Sequence, residues 1–316
     1  MPNHAHTIVA GVGEISPDDP ALRAAAQVAH AAGAELHLVY AYQLPGLMKR
    51  AQGLEHGLPE GVARYERGLL QSLEAAARSL PGGAGAACHV VLGAAAPTLA
   101  RVAAEVGAEL LVVGAARKSR LGSAILGTTA ERVLREASIP VLVARRPMTL
   151  PPARVLLTTD LSELSAAVHE AALDTIDLFL GAPGEVRSLL VVGWTAAPAP
   201  LSAGALGRAA RAELEAFLDA RGHVAPHVEP AVRTGIPADE IVGEARGWGA
   251  DLLVVGTHAR GWGARLMLGS VAEASLRDAP CNVLAIPPVP VAAAVAAPAA
   301  SWSESPELKQ WLDAAS

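Results

Sequence analysis

The stretch DLLVVGTHARGWGARLMLGSVAEASLRDAPCNVLAIPP, Asp251 to Pro288, decides the fold. It reads as a buried strand, a glycine-rich loop, a helix and a second strand. An earlier stretch, ELLVVGAARKSRLGSAILGTTAERVLREASIPVLVARRP from Glu109 to Pro147, has the same layout with different loop chemistry. Gly114 and Gly256 stand 142 residues apart, and Gly127 and Gly269 keep that offset, so the chain is a tandem duplication.

Outward from these stretches the alternation continues. Apolar runs at TIVAGV, ELHLVYA and ACHVVL precede the first copy's last two strands, and RVLLTT, VRSLLVVG and HVEPAV precede the second's. Ala-rich segments of helical period separate them. Five strands alternating with four helices in each half predict an α/β fold, because parallel strands need crossover helices to return the chain. Each half is then a Rossmann-like five-stranded parallel sheet whose ligands bind beyond the carboxyl ends of the strands. Helix starts fit this register: Ser16-Pro17 followed by Asp18 and Asp19 supplies a cap, a first-turn proline and acids at the positive end, and Ser162-Glu163 does so in the second half. Prolines 147, 151 and 152 interrupt both periodicities. The expected divisions are therefore 1–147, 153–288, and a Pro/Ala linker with a short helix over 289–316, where Leu308, Trp311 and Leu312 form an apolar stripe.

Composition bounds the function. The chain has 316 residues, enough for two ordinary domains, and is 52% hydrophobic but only 3% aromatic, so its cores are built from Ala, Val, Leu and Ile. A net charge of −6 argues against a nucleic-acid partner, which clustered Lys and Arg would hold. The run of 25 uncharged residues from Ala279 to Ser303 carries five prolines, which argues against a membrane span. Cys88 and Cys281, one per half, read as core thiols. The opening MPNHAHTIVAGVGE reads as a first strand and not as a secretion signal, so the expected location is cytoplasmic. His4 and His6 read as part of a mobile terminus rather than a metal site.

The loop of the second copy carries the chemistry. Gly256 ends a buried strand where the backbone must turn, and Gly269-Ser270-Val271 opens the next helix, where free N–H groups and the helix dipole attract an anion. Ser270 adds a hydroxyl, and Arg260 can bring a guanidinium over a phosphate. Asp160, at the end of the first strand of this half, points into the same crevice. The plainer reading is a strand-to-helix turn that Ser270 caps and a turn residue at Asp160.

These residues resemble the universal stress protein family, whose nucleotide-binding members carry G-x2-G-x9-G-[S/T] after the fourth strand and an Asp at the end of the first. The resemblance runs from residue 1 to about residue 288 in two copies, and LGTTAE, LGSVAE and the closing IP or AP before each last strand agree with it. It implies two domains of the adenine nucleotide alpha hydrolase-like type, paired through their last strands as an intramolecular pseudo-dimer, with chains associating further as a homodimer. It also implies ATP, ADP or AMP as ligand, with Mg2+ carried by the nucleotide, Asp160 at the adenosine end and the backbone near Gly193 on the base. His258 matches a common family residue and reads as a loop donor.

Departures from the motif rank the two sites. In the second half Ala259 replaces the second glycine, and if that position needs a left-handed backbone this costs about 1–2 kcal/mol. In the first half Gly114, Gly127 and Thr128 survive, but Gly13 stands where Asp160 does and Arg117 takes the second glycine's place. The cluster Arg117, Lys118 and Arg120 reads as a solvated charge run. The expectation is adenine-nucleotide binding in the second half, with the first a degenerate copy kept for packing or regulation. No metalloprotease, nucleophile-elbow or P-loop signature is present, so catalysis is not required. The alternatives are a stress or scaffold protein in which both loops are structural, and a slow ATP hydrolase.

Overall fold

The computed structural model describes residues 6–43, 58–115, 126–193, 203–220, 228–257 and 268–288. In the first half β1 (Thr7–Gly11), α1 (Pro20–Ala32), β2 (Glu35–Tyr42), α2 (Leu58–Arg78), β3 (Ala87–Leu92), α3 (Ala95–Val106), β4 (Leu110–Gly114), α4 (Thr128–Glu136) and β5 (Val141–Ala144) follow in order. The second half repeats them as β6 (Arg154–Thr159), α5 (Glu163–Phe179), β7 (Glu185–Val192), α6 (Ala203–Asp219), β8 (Val228–Thr234), α7 (Pro237–Trp248), β9 (Leu252–Gly256), α8 (Ser270–Asp278) and β10 (Asn282–Ile286). The tail beyond 288, with its expected linker and helix, lies outside the described residues.

All ten strands lie in one sheet, in the order β3-β2-β1-β4-β5-β10-β9-β6-β7-β8. Within each half the neighbours are parallel, as the crossover argument requires. The halves meet at an antiparallel pair, with Val143 opposite Val283, Leu142 opposite Leu284 and Val141 opposite Ala285. This is the expected pseudo-dimer.

Alternating side chains divide between two faces, and each face is covered. Ile8, Leu142, Leu157 and Leu284 pack with Leu22, Leu73, Ile176 and Phe179 from α1, α2 and α5. Val9, Val143, Val283 and Val255 pack with Leu99, Val133, Ile241 and Leu276 from α3, α4, α7 and α8. Both clusters run across the seam, so the halves share their cores. Cys281 is fully buried, which pushes its thiol up to about 11, while Cys88 is only half-buried. Among the described residues no helix is long and apolar enough to cross a membrane.

Polar groups complete the seam. Asn282, 2% exposed, accepts the backbone N–H groups of Arg145 and Arg146 at 2.8 and 3.1 Å. The Arg145 guanidinium donates to the carbonyls of Leu276 and Arg277 at 2.7 and 3.0 Å, closing the C-terminus of α8, where free carbonyls and the negative end of the dipole favour a cation. Arg146 donates to the Ala250 carbonyl at 3.0 Å and to Asp251 at 3.3 Å.

One helix start differs from the expectation. The cap of α1 is Asp19 and not Ser16, and Pro20 and not Pro17 sits in the first turn. Asp19 caps as well as Ser does, and Pro20 has the fixed φ that the first helical position wants. Ser16 instead accepts the N–H of Asp18 in a turn at 3.2 Å. In the second half Ser162 caps α5 as expected, accepting the N–H of Ser165.

The two halves solve one packing problem with different chemistry. Thr7 is paired with Glu35 and Arg154 with Glu185, so His37 and Arg187 hold the same place in the two sheets. Arg187 lies 4.3 Å from the centre of the Trp248 ring and bonds Glu229 at 2.7 Å and Glu244 at 2.6 Å. Glu244, its side chain 3% exposed, also accepts from Arg233. Removing one partner of a buried ion pair costs about 3–5 kcal/mol, and the lower end applies here because Arg187 keeps Glu229. Glu244→Ala is therefore expected to lower stability by about 3 kcal/mol in denaturant melts, and Glu229→Ala, at an exposed carboxylate, by less.

At the matching place in the first half, His37 Nδ1 lies 3.0 Å from His89 Nε2 and His37 Nε2 lies 3.1 Å from Glu35, with the two rings stacked. With His37 donating to Glu35 from Nε2, its Nδ1 accepts from His89 Nε2, and a proton on both rings would set two N–H groups against each other. Burial, then charge on His37, lowers the His89 value below the ordinary 6.5; Glu105 of α3 raises it and Arg101 of α3 lowers it. A histidine with a lowered folded value gives stability that is complete above its unfolded value and is lost as pH falls through that value toward the folded one. Melting temperature is expected to fall more between about pH 7 and about pH 5 in the native chain than in His89→Gln. Parallel pH profiles of the two would show that His89 carries none of the acid sensitivity.

Candidate functional site

The second-half site is built at the carboxyl ends of β6, β7 and β9. The β6–β9 pairing ends with Leu157 opposite Val254, and the Thr158 hydroxyl donates to the Val254 carbonyl at 3.0 Å. One step on, the chain leaves β6 through Leu161, a non-glycine residue at φ 63° whose N–H donates to the Thr159 hydroxyl at 3.0 Å. This kink places Asp160 at the surface, where its Oδ1 accepts from the Ser162 N–H at 3.0 Å and from the hydroxyls of Ser162 and Ser165 at 2.5 and 2.6 Å. The carboxylate is fixed in orientation by its own helix cap.

β9 ends at Gly256, and the chain returns at Gly269. The Gly269 N–H donates to the Thr257 carbonyl at 3.0 Å, which closes the loop on itself. Gly269 is the cap of α8 with φ −60° and ψ 139°, and among the described residues no side chain caps the helix. Ser270 and Val271 are exposed on the first turn. Uncapped N–H groups of this kind suit an oxyanion. Glu273 also sits in this first turn, so some of the dipole's attraction is already used.

The expected role of Gly256 needs correcting. It is not among the glycines with positive φ, so no sharp turn demands it. A Cβ there would lie 3.2 Å from Val168 Cγ2, so what it permits is the close approach of α5. At Gly114 the nearest atoms, of Ala21, would be 4.0 Å away, and the first half has no such constraint. Gly193 follows β7 directly and is half-buried at the same end of the sheet. The structure thus gathers Asp160, Gly193, Gly256, Gly269, Ser270 and Val271 at one end of the second half. His258, Ala259 and Arg260 lie outside the described residues, as do Arg117, Lys118 and Arg120.

The first half uses its carboxylate differently. Gly13 N–H and Glu14 N–H donate to one oxygen of Asp19 at 3.1 and 3.0 Å, and Leu22 N–H donates to the other at 2.9 Å. Asp19 is 7% exposed, and burial raises its carboxyl above the usual range against the pull of these N–H groups. It holds the β1–α1 loop together. Sequence reading placed it within the helix; the signal it missed is Asp-Pro, a cap followed by the residue best suited to the first helical position.

Gly114, Gly127 and Thr128 line a cleft of about 1920 Å³ over the carboxyl ends of β1, β2 and β4. Its far wall comes from the second half, with Arg246 of α7 and Arg277 of α8, and Arg145 and Arg146 lie at the seam. No pattern along the chain announced this wall, because it exists only once β5 and β10 pair. Among the described residues no group of three or more His, Cys, Asp or Glu is placed to hold a metal ion.

Two doubly wound parallel α/β units, fused edge to edge by their last strands and each presenting a helix N-terminus beyond its fourth strand, define a tandem protein of the Rossmann-like class. The universal stress protein family model matches residues 4–145 and 153–287, and the chain belongs to that family. It is 44% identical over 52 residues to Universal stress protein MJ0531 of Methanocaldococcus jannaschii, a match covering 16% of this chain and 31% of the relative. It is also 44% identical over 55 residues to Universal stress protein A homolog 2 of Coxiella burnetii, covering 17% and 37%. The chain thus spans about a third of the length of these curated relatives. Among solved structures, a functionally unknown protein, PA1789, from Pseudomonas aeruginosa PAO1 matches with a TM-score of 0.62 at 16% identity, covering 90% of this chain and 93% of that one. A universal stress protein from Archaeoglobus fulgidus matches with a TM-score of 0.60 at 18% identity, covering 90% and 100%. These two likenesses show the fold across both halves.

Proposed function

We propose that this universal stress protein binds an adenine nucleotide, ATP or its di- or monophosphate, in its second half, with any Mg2+ arriving on the nucleotide. The observation that carries the reading is the pairing of a carboxylate of fixed orientation, Asp160, with the uncapped first turn of α8 at Gly269-Ser270. A hydrogen-bond acceptor for a ribose hydroxyl and a set of free N–H groups for phosphate are what the two ends of a nucleotide require. His258 and Arg260 are assigned to the loop between, beside the phosphates, Gly193 to the base and Val271 to the helix opening. Residues 1–147 form the degenerate domain, 153–288 the binding domain and 289–316 an appendage, in a cytoplasmic protein that works as a homodimer without catalysis.

In titration calorimetry near physiological ionic strength, the expected result is one ATP per chain. Losing a hydrogen-bonding partner in a desolvated site costs about 1–3 kcal/mol, so Asp160→Ala and Ser270→Ala should each weaken binding about tenfold or more. Thr128→Ala should leave it unchanged. Two equivalent sites, or binding lost with Thr128→Ala but kept with Asp160→Ala, would reverse the roles of the halves. Release of ADP and phosphate from bound ATP would make the protein a slow hydrolase.

A second reading has its own support. Asp160 is already engaged by Ser162 and Ser165, and Gly256 has a packing reason to be glycine, so both can serve structure alone. In that case the protein purifies without nucleotide, and heat denaturation releases none that mass spectrometry detects.

A further inference from the structure

A groove runs between α3 and α4 on the outer side of the first half and holds a cavity of about 170 Å³. Ala100, Ala103 and Ala104 of α3 form one wall, and Val133, Ala137 and Ile139 form the other. Side chains this short let a further element lie close against the helices. The second half builds the same place differently. At the 142-residue offset Val242 stands for Ala100 and Arg246 for Ala104, a branched and a long side chain in place of two methyl groups.

The strands leaving the seam differ in the same sense. Beyond β5, Arg145 and Arg146 close the lower end of the second half's helices through the carbonyls of Leu276, Arg277 and Ala250. Their counterparts beyond β10 are Pro287 and Pro288, which have neither an N–H nor a cation to offer. The first-half helices thus lack both the bulk and the arginine closure that the second-half helices have, at the point where the chain leaves the sheet. β5 and β10 pair with Val141 opposite Ala285, and that register carried two residues on sets Pro287 opposite Ile139 of the groove wall. Neighbouring strands lie about 4.8 Å apart, so the chain departs one strand width from the groove.

Residues 289–316 follow, and they carry Leu308, Trp311 and Leu312 at the spacing of one helical face. So short a helix is marginal without a surface to pack on. The tether from Pro288 to Leu308 spans tens of ångströms at about 3.3 Å per residue, which is ample, and a tether of this kind holds a segment near its seat at an effective concentration of about a millimolar. We propose that residues 289–316 dock on the first half of their own chain, with Leu308, Trp311 and Leu312 in the α3–α4 groove. Three apolar side chains of one face laid into a hydrophobic groove are a recurring recognition mode. The docking uses none of the residues assigned to the nucleotide.

Fluorescence of the full chain tests this, the emission of Trp311 being the part lost in Trp311→Phe. In the native chain that part is expected at short wavelength and shielded from acrylamide. In the double variant Ala100→Val with Ala104→Arg it is expected to shift to longer wavelength and lose its shielding. That variant carries the second half's own side chains at two exposed positions of α3, so the fold is kept. Trp311→Ala is expected to lower the melting temperature of the native chain and not that of the double variant, as residues in contact do. Trp311 open to acrylamide in the native chain, shielding that survives in the double variant, or additive melting shifts would each overturn the proposal. Shielding lost on dilution would place the tail on a second copy and overturn it as well.

Discussion

The antiparallel contact between β5 and β10 is the constraint on which the rest depends. Three residue pairs join two five-stranded sheets, and the bonds themselves are few. Their effect is to cover the edge that each half would otherwise expose, and an open apolar edge is a template for the wrong partner. The contact also lets each face be sealed by helices from both halves, so that α1 and α5 share one core and α4 and α8 another. Asn282 and Arg145 complete what the strands begin, since every donor and carbonyl that the seam removes from water needs a partner.

Much of this fold was legible in the chain because buried parallel strands leave an unmistakable trace. LLVVG occurs twice at the same offset, and only a strand covered on both faces needs so apolar a run. Ser162 was legible for the opposite reason, being local: a cap acts within three residues of itself. What could not be read was anything created by the meeting of distant segments. Gly256 looked like a turn residue, while its cause, Val168, is far away in sequence. Asp19 was visible as an acid near a helix start, but three N–H groups converging on it depend on how the preceding loop folds back. Of the site itself, the sequence showed Asp160 and the Gly269-Ser270 opening, and not the serines that already hold that aspartate.

Duplication leaves two copies free to diverge wherever the fold tolerates alternatives, and His37 and Arg187 show how far this has gone. Both are polar groups on a buried sheet face, and neither is left unsatisfied. The second half surrounds an arginine, a group that stays charged at any physiological pH, with carboxylates and an indole ring. The first half uses two stacked, hydrogen-bonded imidazoles. The outer parts of the two sheets thus differ in electrostatic character while their backbones match.

Because the seam is antiparallel, the strand ends of the two halves point in opposite directions, and their sites open at opposite ends of the sheet. One element reaches both. Helix α8 begins at Gly269-Ser270 in the second-half site and ends at Arg277 and Asp278 in the wall of the first-half cleft. Its nine residues make a rod about 14 Å long. A stiff rod transmits displacement without attenuation, so a movement of α8 along its axis that draws its amino end toward an anion withdraws its carboxyl end from Arg145 by the same distance. One helix is thus a part of both sites.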